Sequence, residues 1–219
     1  MKIKGFLLSY FCIHLFLIHA NSQSSFGLKA GMQLVKMTGF DDGGPKSFLP
    51  TVQVKGIGII PISDEVTLNP SLGYSGKGYK WNDLELTDEL GNSIGSGDVI
   101  GLFHYVQLTV PISYQIASDQ NHEYYLGAGP YFSYAVSGKG KVKHAAIQGN
   151  EDSWDLFSGD FYKRTDAGVA VEIASRLKKK FMIAFNVDIG LADVSHDGGG
   201  KLKQLAAGIS IGYLFHGKS

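Results

Sequence analysis

The sequence predicts an all-β protein, an eight-stranded antiparallel up-and-down transmembrane β-barrel. Three observations support this fold class: apolar and polar residues alternate in eight segments, the connections alternate between short and long, and outward aromatic residues gather at one end. The last segment, Leu202–Phe215, has the period of two of a β-strand. One apolar face opposite one small or polar face suits a strand between lipid and a polar lumen. Its apolar parity holds Leu205, Ala207, Ile209, Ile211, Tyr213 and Phe215.

Length, charge and composition restrict the class of protein. The 219 residues suffice for one substantial domain, and 20 basic residues balance 20 acidic ones at a pI near 7.1. Because there is no excess of positive charge, we expect no nucleic acid partner. Charged residues make up 18% of the chain, below the roughly 25% of soluble domains.

The first residues are predicted to be a targeting segment. Lys2 and Lys4 precede the mostly apolar run Phe6–Ala20, which is the pattern of a secretory signal peptide. We assign residues 1–23 to the signal peptide and residues 24–219 to the barrel domain, with cleavage within residues 20–25. Cys12, the only cysteine, lies inside the apolar run, so we expect no disulfide in the mature chain. No later apolar run approaches the roughly 18 residues of a spanning helix.

The first four predicted strands place apolar side chains on one parity and mostly polar residues or glycine on the other. The fourth strand alternates most regularly, although Phe103 and Tyr105 share its polar parity. The apolar parities are Phe26, Leu28, Ala30, Met32 and Leu34 in strand one (Phe26–Lys36), Val52 and Val54 in strand two (Phe48–Ile60), Val66, Leu68, Leu72 and Tyr74 in strand three (Val66–Tyr79), and every second residue from Leu102 in strand four (Leu102–Ile116).

The last four predicted strands show the same alternation and span Tyr124–Val136, Phe161–Ser175, Phe181–Leu191 and Leu202–Phe215. Each has about the 9–11 residues or more of a tilted membrane strand. Short turns follow strands two, four and six, whereas longer loops follow the odd-numbered strands. Short periplasmic turns and long outer loops are typical of outer-membrane barrels. We therefore expect an outer-membrane protein with both termini of the mature chain periplasmic.

Aromatic residues on the outward parity are predicted to mark the membrane interfaces. One girdle is expected at the end that carries the termini, and its members are Phe26, Tyr114, Tyr124, Phe181, Tyr213 and Phe215. A second, less regular set consists of Phe48, Tyr74, Phe132, Tyr134 and Phe161. A soluble periplasmic barrel that binds a ligand is the alternative, but it does not need outward aromatics sorted by height.

Charged residues on the inward parity are predicted to fill the lumen. They are Lys29, Lys55, Lys77, Glu123, Arg164, Asp166, Glu172 and Asp188. A barrel of eight strands has an interior just wide enough for side chains, so we expect these charges to pair into a plug. The functional alternative is a path for protons or ions.

Lys139, Lys141 and Lys143 form an alternating basic run at the start of the predicted loop Ser137–Asp160. Two interpretations stand: the lysines contact lipopolysaccharide phosphates as point charges, or they are a solvated loop edge.

Catalysis has little support in the sequence. Ser195, His196 and Asp197 are the residue types of a hydrolase triad, but neighbours in one loop cannot relay a proton in a line. His104 lies near the outer end of strand four on the outward parity, where an interface residue is expected rather than a base. We predict no enzyme, no cofactor and no metal site.

Six pieces of the chain resemble the PorT-like family of outer-membrane β-barrels. They are FGLKAG at Phe26–Gly31, NPSLGYSGKG at Asn69–Gly78, HYVQLTVPISYQI at His104–Ile116, YYLGAGPYFSY at Tyr124–Tyr134, DAGVAVEIA at Asp166–Ala174 and the terminal GISIGYLF. The resemblance covers nearly all of the mature chain and implies an eight-stranded outer-membrane barrel. Some members of the family accompany a protein secretion and gliding apparatus.

The expected function is that of a non-enzymatic barrel whose outer loops bind a surface ligand or an envelope partner protein. The expected partners are outer-membrane lipids and the barrel assembly machinery. A barrel enzyme acting on lipid or peptide at the outer rim is the alternative of another class.

Overall fold

The computed structural model describes residues 24–40, 44–45, 47–87, 93–144, 151–159, 161–196 and 201–216, so the predicted signal peptide lies outside the described residues. Every regular element among these residues is a β-strand. The strands are β1 (Ser25–Thr38), β2 (Leu49–Pro61), β3 (Val66–Leu68), β4 (Ser71–Thr87), β5 (Ser93–Thr109), β6 (Ile112–Ser118), β7 (His122–His144), β8 (Glu151–Asp155), β9 (Thr165–Leu177), β10 (Phe181–Gly190) and β11 (Lys203–His216).

The strands close into a ring. Its order is β1, β2, β4, β5, β7, β9, β10 and β11, and β11 pairs back onto β1, with every neighbouring pair antiparallel. The closing register runs from Ser25 opposite His216 to Thr38 opposite Lys203. The predicted eight-stranded up-and-down barrel, including its closing strand, is therefore confirmed. Among the described residues no helix is both long and apolar enough to cross a membrane.

Two prolines divide predicted strands into shorter ones. Strand three is interrupted at Pro70, which separates β3 from β4, and strand four at Pro111, which separates β5 from β6. Proline has no N–H for a ladder hydrogen bond. Their carbonyl groups remain in use, since Gly58 N donates to Pro70 O at 2.8 Å and Asn69 N donates to Pro111 O at 2.9 Å. The wall stays continuous because β3 pairs with β2 and β6, and β6 pairs with β7.

The two faces of the wall differ as a membrane barrel requires. Outward positions are exposed and apolar along every long strand, for example Met32, Val54, Ile183 and Ile211. Inward positions are buried and include many polar residues. The wall also makes close contacts at small residues: a Cβ atom at Gly31 would collide with the backbone oxygen of Ile209. Only glycine allows that approach.

The ring has two ends, which we name by their contents. The terminal end carries Ser25 and His216 with the short turns, and the loop end carries the longer connections. Strands β4, β5, β7 and β8 continue at the loop end as a four-stranded sheet, in that order. We call this part, residues 80–87, 93–100, 138–144 and 151–155, the loop-end sheet.

Two segments that the sequence predicted as loops belong in part to the loop-end sheet. Within the predicted loop Trp81–Ile100, residues 81–87 of β4 pair with residues 93–99 of β5, ending with Thr87 opposite Ser93. β7 extends to His144 within the predicted loop Ser137–Asp160. The alternation of polar and apolar residues fails there because Gly138 and Gly140 occupy positions where apolar residues would be expected. Trp154 of β8 covers Gly140, and Phe157 in the turn after β8 covers Gly138. The sixth predicted strand also begins later than expected, at Thr165.

Candidate functional site: a filled lumen and a loop-end surface

Ion pairs cross the lumen from one side of the wall to the other. Lys77 on β4 lies 2.8 Å from Asp166 on β9, measured from Nζ to Oδ2, and both side chains are almost fully buried. Lys29 on β1 pairs with Glu172, also on β9. Ring positions that are far apart are thus joined through the interior. Such pairs are stable only when both charges keep their partners, because an unpaired buried charge is costly.

Amide side chains add further links across the lumen. Gln107 Nε2 on β5 donates to Asp188 Oδ2 on β10 at 2.8 Å, and Gln53 Nε2 on β2 donates to Asn186 Oδ1 on β10 at 2.8 Å. Lys55 lies opposite Lys29 in the pairing of β1 with β2, and its side chain is buried. The lumen charges therefore balance, with Lys29, Lys55 and Lys77 against Asp166, Glu172 and Asp188.

Tyrosine rings surround the Lys77 ammonium. Its Nζ lies 3.9 Å from the centroid of the Tyr131 ring and 5.7 Å from that of Tyr105. The Tyr131 hydroxyl donates to Asp166 at 3.1 Å, so one tyrosine contacts both members of the pair. Cation–π contacts and a hydrogen bond thereby replace the water that the charges lose on burial.

Apolar layers close the lumen at each end of the polar network. The terminal-end layer consists of Ile57, Ile59, Ala174, Met182, Ala184 and Leu214. The loop-end layer includes Met37, Tyr79, Phe103, Leu156, Val194 and Leu202. Side chains of the described residues therefore occupy the interior along its length, as expected for a barrel of eight strands.

Two of the eight predicted lumen charges lie apart from the other six. Arg164 is exposed, because β9 begins only at Thr165; its Nη1 donates to Ala135 O at 3.2 Å and its guanidinium lies 4.1 Å from the Phe157 ring. Its placement in the lumen is corrected. Glu123 lies at the terminal end, 3.7 Å from Arg176 Nε.

Several residues of the lumen network are not among the predicted lumen charges. Arg176 stacks on Tyr125 at 3.7 Å from the ring centroid, and the uncharged Gln53 and Gln107 make hydrogen bonds across the lumen. All lie on the inward parity of their strands, so alternation is the signal that identifies them. They are Gln33, Gln53, Tyr105, Gln107, Tyr125, Tyr131, Arg176 and Asn186.

The six predicted girdle aromatics are all exposed on the outer face, and each lies in the terminal-end part of its strand: Phe26, Tyr114, Tyr124, Phe181, Tyr213 and Phe215. The Tyr213 ring contacts both the Phe181 ring and the Phe215 ring, with ring centroids 5.3 Å apart in each pair. Phe161 was assigned to the second girdle, but it precedes β9 in the chain and lies at the loop end, outside the strands of the wall.

The lysine row lies on a strand and not in a loop. Lys139, Lys141 and Lys143 are exposed at alternate positions of β7. In the loop-end sheet they stand opposite Asp155, Ser153 and Glu151 of β8, and Lys143 stands opposite Asp98 of β5. Lys80 on β4 adds a fourth cation and pairs with Asp98 at 2.9 Å.

The candidate triad residues do not assemble into one. Ser195 Oγ donates to Asp193 Oδ1 at 2.7 Å; hydrogen bonds from Ser195 and Leu202 lower the pKa of that carboxyl. His196 is exposed, and Asp197 lies outside the described residues. His104 Nδ1 lies 2.8 Å from the Tyr74 hydroxyl on the outer face. Within the described part of the chain, no group of three or more His, Cys, Asp or Glu side chains is placed to hold a metal ion.

An antiparallel ring with an apolar outer face and a polar, filled interior defines a small membrane-spanning β-barrel. Residues 20–196 match the family described as outer membrane protein beta-barrel domain. The chain belongs to this family and is an outer-membrane protein.

Comparisons with solved structures find small barrels at low identity. The attachment invasion locus protein Ail of Yersinia pestis is 13% identical, with 89% of this chain and 100% of that chain covered and a TM-score of 0.45. Neisserial surface protein A is 12% identical, with 89% and 100% covered and a TM-score of 0.46. OprG from Pseudomonas aeruginosa is 14% identical, with 89% and 97% covered and a TM-score of 0.43. No curated protein sequence matches the chain.

Proposed function

We propose that the protein is a non-conducting, non-enzymatic barrel that displays its loop-end sheet outside the cell as a binding surface. The observation that carries this proposal is the contrast between the two candidate regions. The lumen is spanned by ion pairs and closed by apolar layers, whereas the strands of the wall continue at the loop end into a sheet with exposed charges and aromatic rings. A binding surface is therefore available only outside the barrel.

The proposal requires the terminal end to face the periplasm. The short turns and the regular aromatic set lie at that end, as in barrels that are inserted from the periplasmic side by the barrel assembly machinery. Single cysteines test the orientation, because Cys12 lies in the predicted signal peptide. In Ser96→Cys the thiol lies in the loop-end sheet, and in Gln120→Cys it lies in a terminal-end turn; both native residues are exposed.

A membrane-impermeant maleimide applied to intact cells should label Ser96→Cys at once and Gln120→Cys only after the cells are permeabilised. Labelling of Gln120→Cys on intact cells would reverse the orientation.

The lysine row is the proposed contact with lipopolysaccharide. Lys139, Lys141 and Lys143 project outward from β7 directly beyond the exposed apolar residues Phe132, Tyr134 and Val136 of the same strand. That position suits phosphate groups at the outer edge of the bilayer, for which lysine is a point-charge partner. The solvated-edge interpretation predicts no lipid dependence.

Replacing the three lysines by glutamine separates these interpretations. Lys178, Lys179 and Lys180, which are exposed in a terminal-end turn, provide a matched control with the same change of charge. The β7 triple variant should retain less lipopolysaccharide per barrel on purification in mild detergent, while the turn variant retains the wild-type amount. Equal retention by both variants would favour the solvated edge.

A closer relation to PorT-like barrels, and through it an association with a secretion apparatus or an envelope partner protein, is also proposed. Its support is the set of strand and turn pieces described above. Co-purification of the tagged barrel with secretion components after cross-linking in cells is the test, and recovery of the barrel alone would count against it. The rim enzyme is the less favoured alternative, since Ser195, His196 and His104 do not converge on one another.

A further inference from the structure

A cavity of about 350 Å³ opens at the loop end, between β8 and the segment that leads into β9. It lies above the apolar layer that closes the lumen and shares Tyr79, Leu156 and Leu202 with it. The volume is at the lower end of the roughly 300–1,000 Å³ of small-molecule sites. The cavity is thus a separate compartment that faces away from the lumen.

Two exposed aromatic rings flank the cavity. Trp154 is 40% exposed and Phe161 is 65% exposed, although neither lies on the lipid-facing part of the wall. Each ring lies on a glycine: a Cβ atom at Gly140 would collide with the indole of Trp154, and one at Gly159 would collide with the ring of Phe161. The glycines therefore allow both rings to lie close to the backbone, and the exposure of the rings leaves part of each accessible to a ligand.

Polar groups stand beside the rings. Asp155 Oδ1 accepts a hydrogen bond from Phe157 N at 2.8 Å, which orients the exposed carboxylate. Within the cavity Tyr162 donates its hydroxyl to that of Tyr79 at 3.2 Å. The Tyr79 proton remains available for a ligand acceptor. The cavity thus combines aromatic faces, a carboxylate acceptor and a hydroxyl donor.

We propose that this cavity binds a neutral pyranose ring of a surface glycan. A pyranose presents an apolar C–H face that packs on aromatic rings and equatorial hydroxyls that donate to a carboxylate. Among the described residues that line the cavity, Asp155 is the charged one, and its negative charge disfavours a phosphorylated or acidic sugar. The site adjoins the lysine row, since Asp155 stands opposite Lys139, but it takes a neutral ring where the lysine row takes phosphate. The inference rests on the proposed function only in taking the loop end as the binding face.

Tryptophan fluorescence of the purified full-length barrel tests the inference. The chain has two tryptophans, Trp81 and Trp154, so Trp81→Phe leaves Trp154 as the reporter. The probes are methyl β-D-glucopyranoside, methyl β-D-galactopyranoside, N-acetylglucosamine and lactose. At least one of them should change the emission saturably, and glucose 6-phosphate should bind more weakly than the glucoside.

Variants locate the binding. Asp155→Asn should weaken sugar binding about tenfold or more, as expected for the loss of a hydrogen bond to a charged group. Asp83→Asn changes an exposed carboxylate of the same sheet outside the cavity and should leave the affinity unchanged. Heat-modifiable mobility on gels confirms that each variant is folded.

Three results would overturn the inference: no saturable change with any sugar, tighter binding of glucose 6-phosphate than of the glucoside, or binding of N-acetylphenylalaninamide without binding of sugars. The last result would assign the cavity to an aromatic peptide side chain. Because binding is measured in detergent, its failure is independent of the orientation found by cysteine labelling.

Discussion

Breaking the Lys77–Asp166 pair tests how the filled lumen stabilises the barrel. Lys77→Met keeps the aliphatic part of the side chain and removes the ammonium group that bridges β4 and β9. Asp166 is then left buried at 2% exposure, and among the described residues the hydroxyl of Tyr131 is its remaining hydrogen-bond partner. Removing one member of a buried ion pair costs about 3–5 kcal/mol, because the other charge stays in a medium of low dielectric constant. We expect the free energy of unfolding to fall by about that amount.

The loop-end sheet supplies the control. Lys80 and Asp98 lie 2.9 Å apart, close to the 2.8 Å of Lys77 and Asp166, but their side chains are 28% and 33% exposed against 1% and 0%. A pair this exposed contributes about 0–1 kcal/mol. Lys80→Met should therefore cost at least about 2 kcal/mol less than Lys77→Met. The comparison isolates burial, since distance, strand and substitution are matched.

Urea titration of the barrel folded into phospholipid bilayers, followed by tryptophan fluorescence and gel mobility, measures both costs. The dependence on urea should be the same for the variants, since each exposes a similar surface on unfolding. The double variant Lys77→Met/Asp166→Leu should recover much of the loss, because no charge is left unpaired. Equal costs for Lys77→Met and Lys80→Met would refute the account of the lumen as a buried ionic plug.

Two further predictions concern the wall. Phe215→Asp should reduce the heat-modifiable, membrane-inserted fraction of the protein in cells, because it places a charge on the outer face beside Tyr213 of the closing strand. Phe215→Tyr is the control, and equal insertion yields of the two variants would contradict the assignment of residue 215 to the outer face. Gly31→Ala should lower the free energy of unfolding by about 1–3 kcal/mol through overpacking, since its Cβ would meet the backbone of β11. A Cβ atom at Gly56 would instead have its nearest neighbour at 3.7 Å. Gly56→Ala is the control, and equal stabilities of the two variants would argue against the close β1–β11 contact.

Strand alternation predicts the barrel wall because each wall strand separates two different media. Outward residues such as Ile211 meet lipid and inward residues such as Gln53 meet the lumen, so the period of two is imposed on both faces. In the loop-end sheet that contrast disappears. The run from Gly138 to Lys143 alternates glycine or valine with lysine, and rings from elsewhere in the chain supply the apolar cover. No local pattern could have predicted that cover.

The candidate site, too, could be predicted from the sequence only in part. Parity places Lys77 and Asp166 in the lumen, but their partnership across the ring follows from strand curvature and register that the sequence does not express. Arg164 shows the converse, since parity alone cannot reveal that the wall ends at Thr165. The loop-end cavity depends on residues from β4, β8 and the segment before β9, which only the closed ring brings together.

Electrical conductance in planar bilayers tests the central claim most directly. Because ion pairs and apolar layers fill the lumen, purified, folded barrel inserted at single-molecule density should produce no steady current above the bare bilayer. The known pore of a larger porin in the same bilayer confirms that insertion can be detected. Stable, ohmic conductance steps from the wild-type barrel would contradict a closed lumen and restore the ion path as its function.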